Sequence, residues 1–405
     1  MLSLVFGCSS DPLESDAGGG GASGEAGSGS GGAAPDPRDY TDSPCYGQSR
    51  STSVYDGQTH TQRTVQATCR AEGERSLVYV ADDLFGGRVS QAAVNAFMHR
   101  FEVLGNAQSH RPDLGVLPTD EVVFGALDVS RFPGGKLPLF LIDSQGAGEG
   151  YLCSWCETPE LHLDGILLAP LDGDAALSIA AHETFHVIHR GYDANERVWV
   201  DESLAQAAMA VNGFFTDTAW LSDFVQNPNV NWGPLVTDIA GFHYGAGLAF
   251  GTYLWEQGGP ELMRAATAEP RDDWTGLDRA LAETGEARSA FQMFMDMAVA
   301  LYLDDPARGF GFESFDLEQN IARIPAELAS NTARVEPYGL VYRTLNAEMS
   351  QIRVDGGTTV HARVVTDTDP PNIVEVPLGI QTSIPTPAVL ILTATARTNV
   401  TFTLE

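Results

Sequence analysis

The chain reads as an α+β protein closed by a small all-β module, on three observations. Apolar strand-like runs alternate with helix-patterned stretches from Ser76 to Arg190, helical spacing dominates from Trp199 to about Leu303, and β-branched runs parted by Gly, Pro and Asp fill the carboxyl end. With 405 residues, 43% of them hydrophobic, the chain has material for two or three buried cores. Its 23 Lys and Arg against 54 Asp and Glu leave a net charge of −31. A surface that acidic repels nucleic-acid phosphates and anionic membranes, so nucleic-acid binding is set aside. No run approaches the ~18 consecutive apolar residues of a membrane-spanning helix.

At the amino end, Met1 to Gly7 is largely apolar and stops at Cys8, where the chain turns to Ser, Asp, Gly and Ala. Residues 1–8 resemble the lipobox of bacterial lipoproteins, with Val5, Phe6 and Gly7 before the cleavage point. The resemblance implies that Cys8 carries lipid, the chain's one expected contact with a membrane. The stretch lacks Lys and Arg and is shorter than a charged region plus ~7–15 apolar residues, which leaves a start further upstream or a chance likeness open. Residues 9–43 are rich in Gly, Ser, Ala, Asp and Pro, with four consecutive glycines from Gly18 to Gly21. Such a segment is a flexible tether with a reach of roughly 30 Å.

A large domain, 44–345, follows. Its four cysteines, Cys45, Cys69, Cys153 and Cys156, are an even set that fits disulfides in an extracytoplasmic compartment. Proximity in sequence favours Cys45–Cys69 and Cys153–Cys156. For the second pair a thioredoxin-like redox motif needs a helix amino end, whereas the preceding Gly-Tyr-Leu reads as loop into strand. A zinc knuckle needs a second close pair, which Cys45 and Cys69 are too far apart to supply. Strands are expected at Ser76–Ala81, Leu137–Ile142 and Asp164–Ala169, and a helix at Val89–Val103. A second helix, Asp174–Arg190, is expected to close on Gly191. The module, 346–405, is expected to be sandwich-like, with strands at 351–354, 358–366, 373–382, 388–396 and 400–404.

The chemistry concentrates where His182-Glu183-Thr184-Phe185-His186 matches H-E-x-x-H. On a helix the two histidines lie ~40° apart on one face, so both imidazoles reach one metal ion. Glu183 projects ~100° away, beside the metal, where it can take a proton from a water held there. A catalytic zinc needs a third protein ligand and one open position. The metzincin pattern requires Gly at 189 and His at 192, but these are His189 and Tyr192. His189 is read as a neighbour of the metal, not a ligand.

Downstream, Trp199-Val200-Asp201-Glu202-Ser203-Leu204-Ala205 opens the next helix. With the H-E-x-x-H helix it resembles the gluzincins, such as thermolysin and the one-zinc aminopeptidases, and is most similar to the hyicolysin family of neutral zinc metallopeptidases. The resemblance implies a thermolysin-like, two-lobed domain, a mixed sheet plus a helical lobe, with zinc on His182, His186 and Glu202. Asp201 is the competing ligand. The position four residues beyond Glu202, where thermolysin-like proteins place an Asp behind the first His, holds Gln206. Phe242-His243-Tyr244-Gly245 opens a further helix, and either His243 or Tyr244 is the implied donor to the oxyanion. Glu183 is the implied general base, and the stretch 164–169 the edge strand that pairs with substrate. The expected function is that of a zinc endopeptidase acting on protein or peptide, secreted or tethered at the bacterial cell surface. A zinc hydrolase of other bonds and a non-catalytic binding lipoprotein are the alternatives.

Overall fold

The computed structural model describes residues 38–405 apart from 154, 216–217, 235, 237–240, 316, 318–326, 329–330, 347–349 and 386. Cys8, the lipobox-like leader and most of the tether lie outside these residues. Among the described residues the architecture is mixed α+β, with eight α-helices and three sheets. No described helix is long and apolar enough to cross a membrane.

Strands β1 (Ser49–Asp56), β2 (Thr61–Glu72), β3 (Ser76–Ala81), β4 (Leu137–Ile142), β5 (Gly150–Cys153) and β6 (Glu160–Asp164) form one sheet in the order β1-β2-β3-β4-β6-β5. The β3–β4 and β4–β6 pairs are parallel and the others antiparallel. Leu137–Ile142 is buried at every position, as a parallel strand covered on both faces must be. Helices α1 (Gln91–Glu102) and α2 (Val116–Phe124) make the crossover between β3 and β4. Ser90 caps α1, its hydroxyl accepting from the Ala93 N–H at 3.1 Å. Tyr40, expected within the tether, is buried in the core. The two disulfides are Cys45–Cys69 and Cys153–Cys156, as their spacing predicted.

The third expected strand falls elsewhere. Residues 160–164 form β6, inside the sheet, and the chain leaves it at Asp164. That carboxylate accepts from the N–H groups of Ile166 and Leu167, both at 2.8 Å, and from the Ser144 N–H and hydroxyl at 2.8 and 2.7 Å. An acidic side chain holding the next two amides makes a turn, so 165–169 cannot continue the strand. At this end of the sheet the edge strand is β5, antiparallel to β6.

Helix α3 (Asp174–Tyr192) carries the H-E-x-x-H run and is buried from Ala176 through His189. It packs on β5 and β6 and against α1, α2, α4 (Val198–Val211) and α6 (Gly241–Ala268). It runs past Gly191, whose φ is not positive, and closes where the Asp193 N–H reaches the His189 carbonyl at 2.7 Å. Between α4 and α6 lies α5 (Thr218–Gln226), and α7 (Asp273–Glu283) and α8 (Ala290–Leu303) complete the helical half. Helix α6 bends at Gly259, where φ is 60° just before Pro260.

Strands β7 (Glu327–Leu328), β8 (Thr332–Val335), β9 (Val341–Leu345), β10 (Gln351–Asp355), β11 (Val360–Thr366), β12 (Asn372–Glu375), β13 (Thr382–Ser383), β14 (Ala388–Ala394) and β15 (Thr398–Leu404) build two sheets, β13-β10-β15-β8 and β12-β11-β14-β9-β7. Every pair is antiparallel except β7–β9, and the sheets share their own apolar core. They recruit 332–335 and 341–345, upstream of residue 346 where the module was expected to begin. The single strand expected at 373–382 is two, β12 and β13, in different sheets, because Pro377 and Gly379, at φ 70°, turn the chain between them. The module is docked on the helical half: Tyr342 Oη donates to the Ala298 carbonyl at 2.8 Å, Arg363 pairs with Asp296 at 2.6 Å, and the Tyr338 ring stacks on Trp274.

Candidate metal centre

On α3 the imidazoles of His182 and His186 are one turn apart, and their Nε2 atoms lie 3.1 Å from each other. Glu202, in the first turns of α4, places Oε2 3.2 Å from His182 Nε2 and 3.8 Å from His186 Nε2. All three residues are 2–3% exposed. Tetrahedral zinc with bonds near 2.05 Å separates its donors by about 3.3 Å, a value that the three distances bracket. Glu202 Oε2 is buried without a hydrogen-bond partner. A carboxylate oxygen so placed is costly unless a cation lies against it, so the donor set fits a metal ion.

The return of Glu202 depends on how the chain leaves α3. Asp193 Oδ1 accepts from the Asn195 N–H at 2.9 Å, and the Glu196 carboxylate accepts from the N–H groups of Arg197 at 2.5 Å and Asp273 at 2.8 Å. Trp199, buried against Trp232 and Trp274, donates from Nε1 to Asp273 at 3.0 Å. These contacts clamp the start of α4 to α7. Helix α6 closes the other side through glycines. A Cβ on Gly251 would lie 1.9 Å from the Ser203 carbonyl oxygen, and one on Gly245 2.0 Å from that of Trp220, so only glycine permits this approach. The same packing brings buried Tyr244 beside His182, with ring centroids 6.3 Å apart. The adjacent His243 turns its Nε2 to the Asn231 carbonyl at 3.0 Å.

Glu183 is buried, and burial pushes its carboxyl up against the opposing pull of His182 and His186. For His186 burial acts downward, but Asp201 and Glu202 outweigh it, and the imidazole is pushed up to about 9. Burial would likewise raise the Asp201 carboxyl, yet His186 and His189 hold it well below the usual range. The cluster therefore attracts positive charge: a proton on His186 or a cation among the three donors.

Adjacent residues on a helix point ~100° apart, and Asp201 and Glu202 accordingly serve different atoms. Glu202 meets the Nε2 edge of the histidines, whereas Asp201 Oδ2 lies 3.1 Å from His186 Nδ1 and Oδ1 lies 2.6 Å from His189 Nδ1. Asp201 is thus behind a donor and outside the donor set. The contact with His186 is an ion pair without hydrogen-bond alignment. Gln206, buried one turn after Glu202, leaves both amide atoms without hydrogen bonds, as does His182 at Nδ1. The sequence reading passed over Glu196, whose carboxyl burial pushes up to about 7. Its one signal was an acidic residue in the short link between the two motif helices. No protein-family model matches the chain and no curated protein is detectably similar to it, so what the centre does is read from its own geometry.

Proposed function

We propose that the protein is an extracytoplasmic zinc-dependent endopeptidase of the gluzincin type, with His182, His186 and Glu202 as the zinc ligands. The convergence of these three buried donors, with Glu183 beside them, carries the reading. Zinc bound there would lower the pKa of a water and polarise the scissile carbonyl. Glu183 takes the proton of the attacking water and hands it to the leaving amine. A carboxyl raised by burial holds that proton better than an exposed one, which suits both transfers. Tyr244 offers its phenol to the developing oxyanion; its place beside His182, with His243 turned to Asn231, favours it over His243. Strand β5, antiparallel at the sheet edge and packed on α3, is the element suited to pair with an extended substrate. A two-lobed, thermolysin-like arrangement is supported by the packing of α3 both on β5 and β6 of the sheet and on helices α4 and α6. The two disulfides support the compartment.

Glu183→Gln tests the assignment, because the amide fills the same space and cannot accept a proton. Zinc content should stay at the wild-type level while the casein-cleavage rate falls by ~10²–10⁴-fold. Activity near wild type would remove Glu183 from the role of base.

A further inference from the structure

A second cluster of metal-ligating side chains lies on the β5–β6 hairpin, apart from the donors on α3 and α4. Tyr151 pairs with His162 and Cys153 with Glu160, so these directly opposed residues share one face of the two strands. His162 is fully buried and Glu160 is 3% exposed. The Sγ atoms of Cys153 and Cys156 and a ring nitrogen of His162 lie within 4.8 Å of one another. Strand β1, at the far end of the sheet order, folds over them. Thr52 Oγ1 lies 2.5 Å from Glu160 Oε2, 3.1 Å from His162 Nε2 and 3.9 Å from Cys156 Sγ. His162 Nδ1 lies 2.9 Å from Tyr151 Oη, which also accepts from the Tyr55 N–H at 3.1 Å. Arg50, also on β1, pairs with the other carboxylate oxygen of Glu160, so imidazole and carboxylate are held in place beside the two sulfurs, Glu160 Oε2 lying 3.4 Å from His162 Nε2.

We propose that Cys153, Cys156, His162 and Glu160 form a second metal site, opened by reduction of the Cys153–Cys156 disulfide, for a thiophilic divalent cation such as zinc. The reductant is a dithiol. Its two sulfurs are oxidised to a disulfide, the Cys153–Cys156 bond breaks, and the two protons and two electrons pass to the cysteine sulfurs. Cation binding then releases both thiol protons to solvent and leaves two thiolates as ligands. With Nδ1–H donated to Tyr151, His162 presents Nε2 as the third donor, and Glu160 supplies the fourth. Two cysteines three residues apart and an imidazole lie within reach of one ion, and the carboxylate beside the imidazole completes a four-donor set of the kind that closes a tetrahedral site. The imidazole's bond to Tyr151 is the outer support that fixes a ligand's tautomer.

Cobalt(II) is the probe, because a thiolate-to-cobalt charge-transfer band arises at this site and cannot arise at the His182–His186–Glu202 centre. The full chain, reduced with dithiothreitol and freed of it anaerobically, should take up one more cobalt ion than the oxidised chain and develop that band. Cys156→Ser should lose the extra ion and the band, whereas Cys45→Ser should keep both. Tyr151→Phe should weaken the extra site by about 10–100-fold, and His162→Gln should weaken it further. A reduced chain with native circular dichroism and no additional ion overturns the proposal, as does one that unfolds and does not refold with metal. A band unchanged in both His162→Gln and Cys156→Ser overturns it as well.

Discussion

Replacing Asp201 by Asn keeps the shape of the side chain and deletes its charge, which separates support of a metal ligand from ligation itself. The carboxylate stands 3.1 Å from His186 Nδ1 and 2.6 Å from His189 Nδ1. Losing such an outer partner typically weakens metal binding 10–100-fold, about 1.4–2.7 kcal/mol. Because the contact with His186 is not an aligned hydrogen bond, the loss should fall at the lower end, near tenfold. One opposing effect needs control: Asp201 also raises the His186 pKa, so its loss relieves proton competition below pH 9. Zinc affinity is therefore to be measured above pH 9, by competition with a chromophoric chelator, in wild type, Asp201→Asn and Glu202→Ala. The expected order is a modest loss for Asp201→Asn and a much larger one for Glu202→Ala, which removes a metal bond. Equal losses, or a larger one at Asp201, would exchange the roles assigned to the two acids.

Tyr244→Phe should lower kcat by ~10²–10³-fold with little change in KM, as for a lost oxyanion donor, while His243→Ala should change kcat far less. The reverse pattern in steady-state kinetics would give the role to His243. Glu196 shifts from 4.5 to about 7 on folding, so its protonated form stabilises the fold at low pH and that contribution fades as pH rises through about 7. The displacement is worth at most about 3 kcal/mol, reduced by partial exposure to about 1–2 kcal/mol. Glu196→Gln should accordingly raise Tm relative to wild type at pH 8 and not at pH 4, and a pH-independent difference in calorimetry would count against it. Trp232 is buried and its ring stacks on Phe294, while its backbone N–H donates to the Pro337 carbonyl of the carboxyl-terminal module at 2.9 Å. Trp232→Ala should cost about 3–5 kcal/mol in urea unfolding; a cost under 1 kcal/mol would show that the ring is not part of a packed core.

The parts legible in the sequence are those set by local periodicity. His182 and His186 fall together because a helix repeats every 3.6 residues, and Leu137–Ile142 announces itself by an unbroken apolar run. Strands β1 and β2 escaped notice because they are rich in Ser, Thr, Arg and Gln, and part of each faces solvent, which leaves no apolar run to find. The end of β6 is decided by the Asp164 carboxylate reaching both Ser144 and its own following amides, a tertiary contact that composition cannot reveal. Glu202 was favoured over its neighbour Asp201 by resemblance alone, and only the direction of α4 relative to α3 shows which histidine atoms each acid meets. Which of His243 and Tyr244 comes beside His182 depends on how closely Gly245 and Gly251 let α6 approach its neighbours.

Zinc dependence of peptide-bond cleavage tests the central claim most directly. Purified protein assayed for metal content and casein cleavage should contain zinc at the three-donor centre, lose metal and activity together on chelation, and regain both when zinc is restored. Cleavage that survives complete removal of metal, or a zinc-loaded protein that cleaves no peptide bond in casein, would contradict the account.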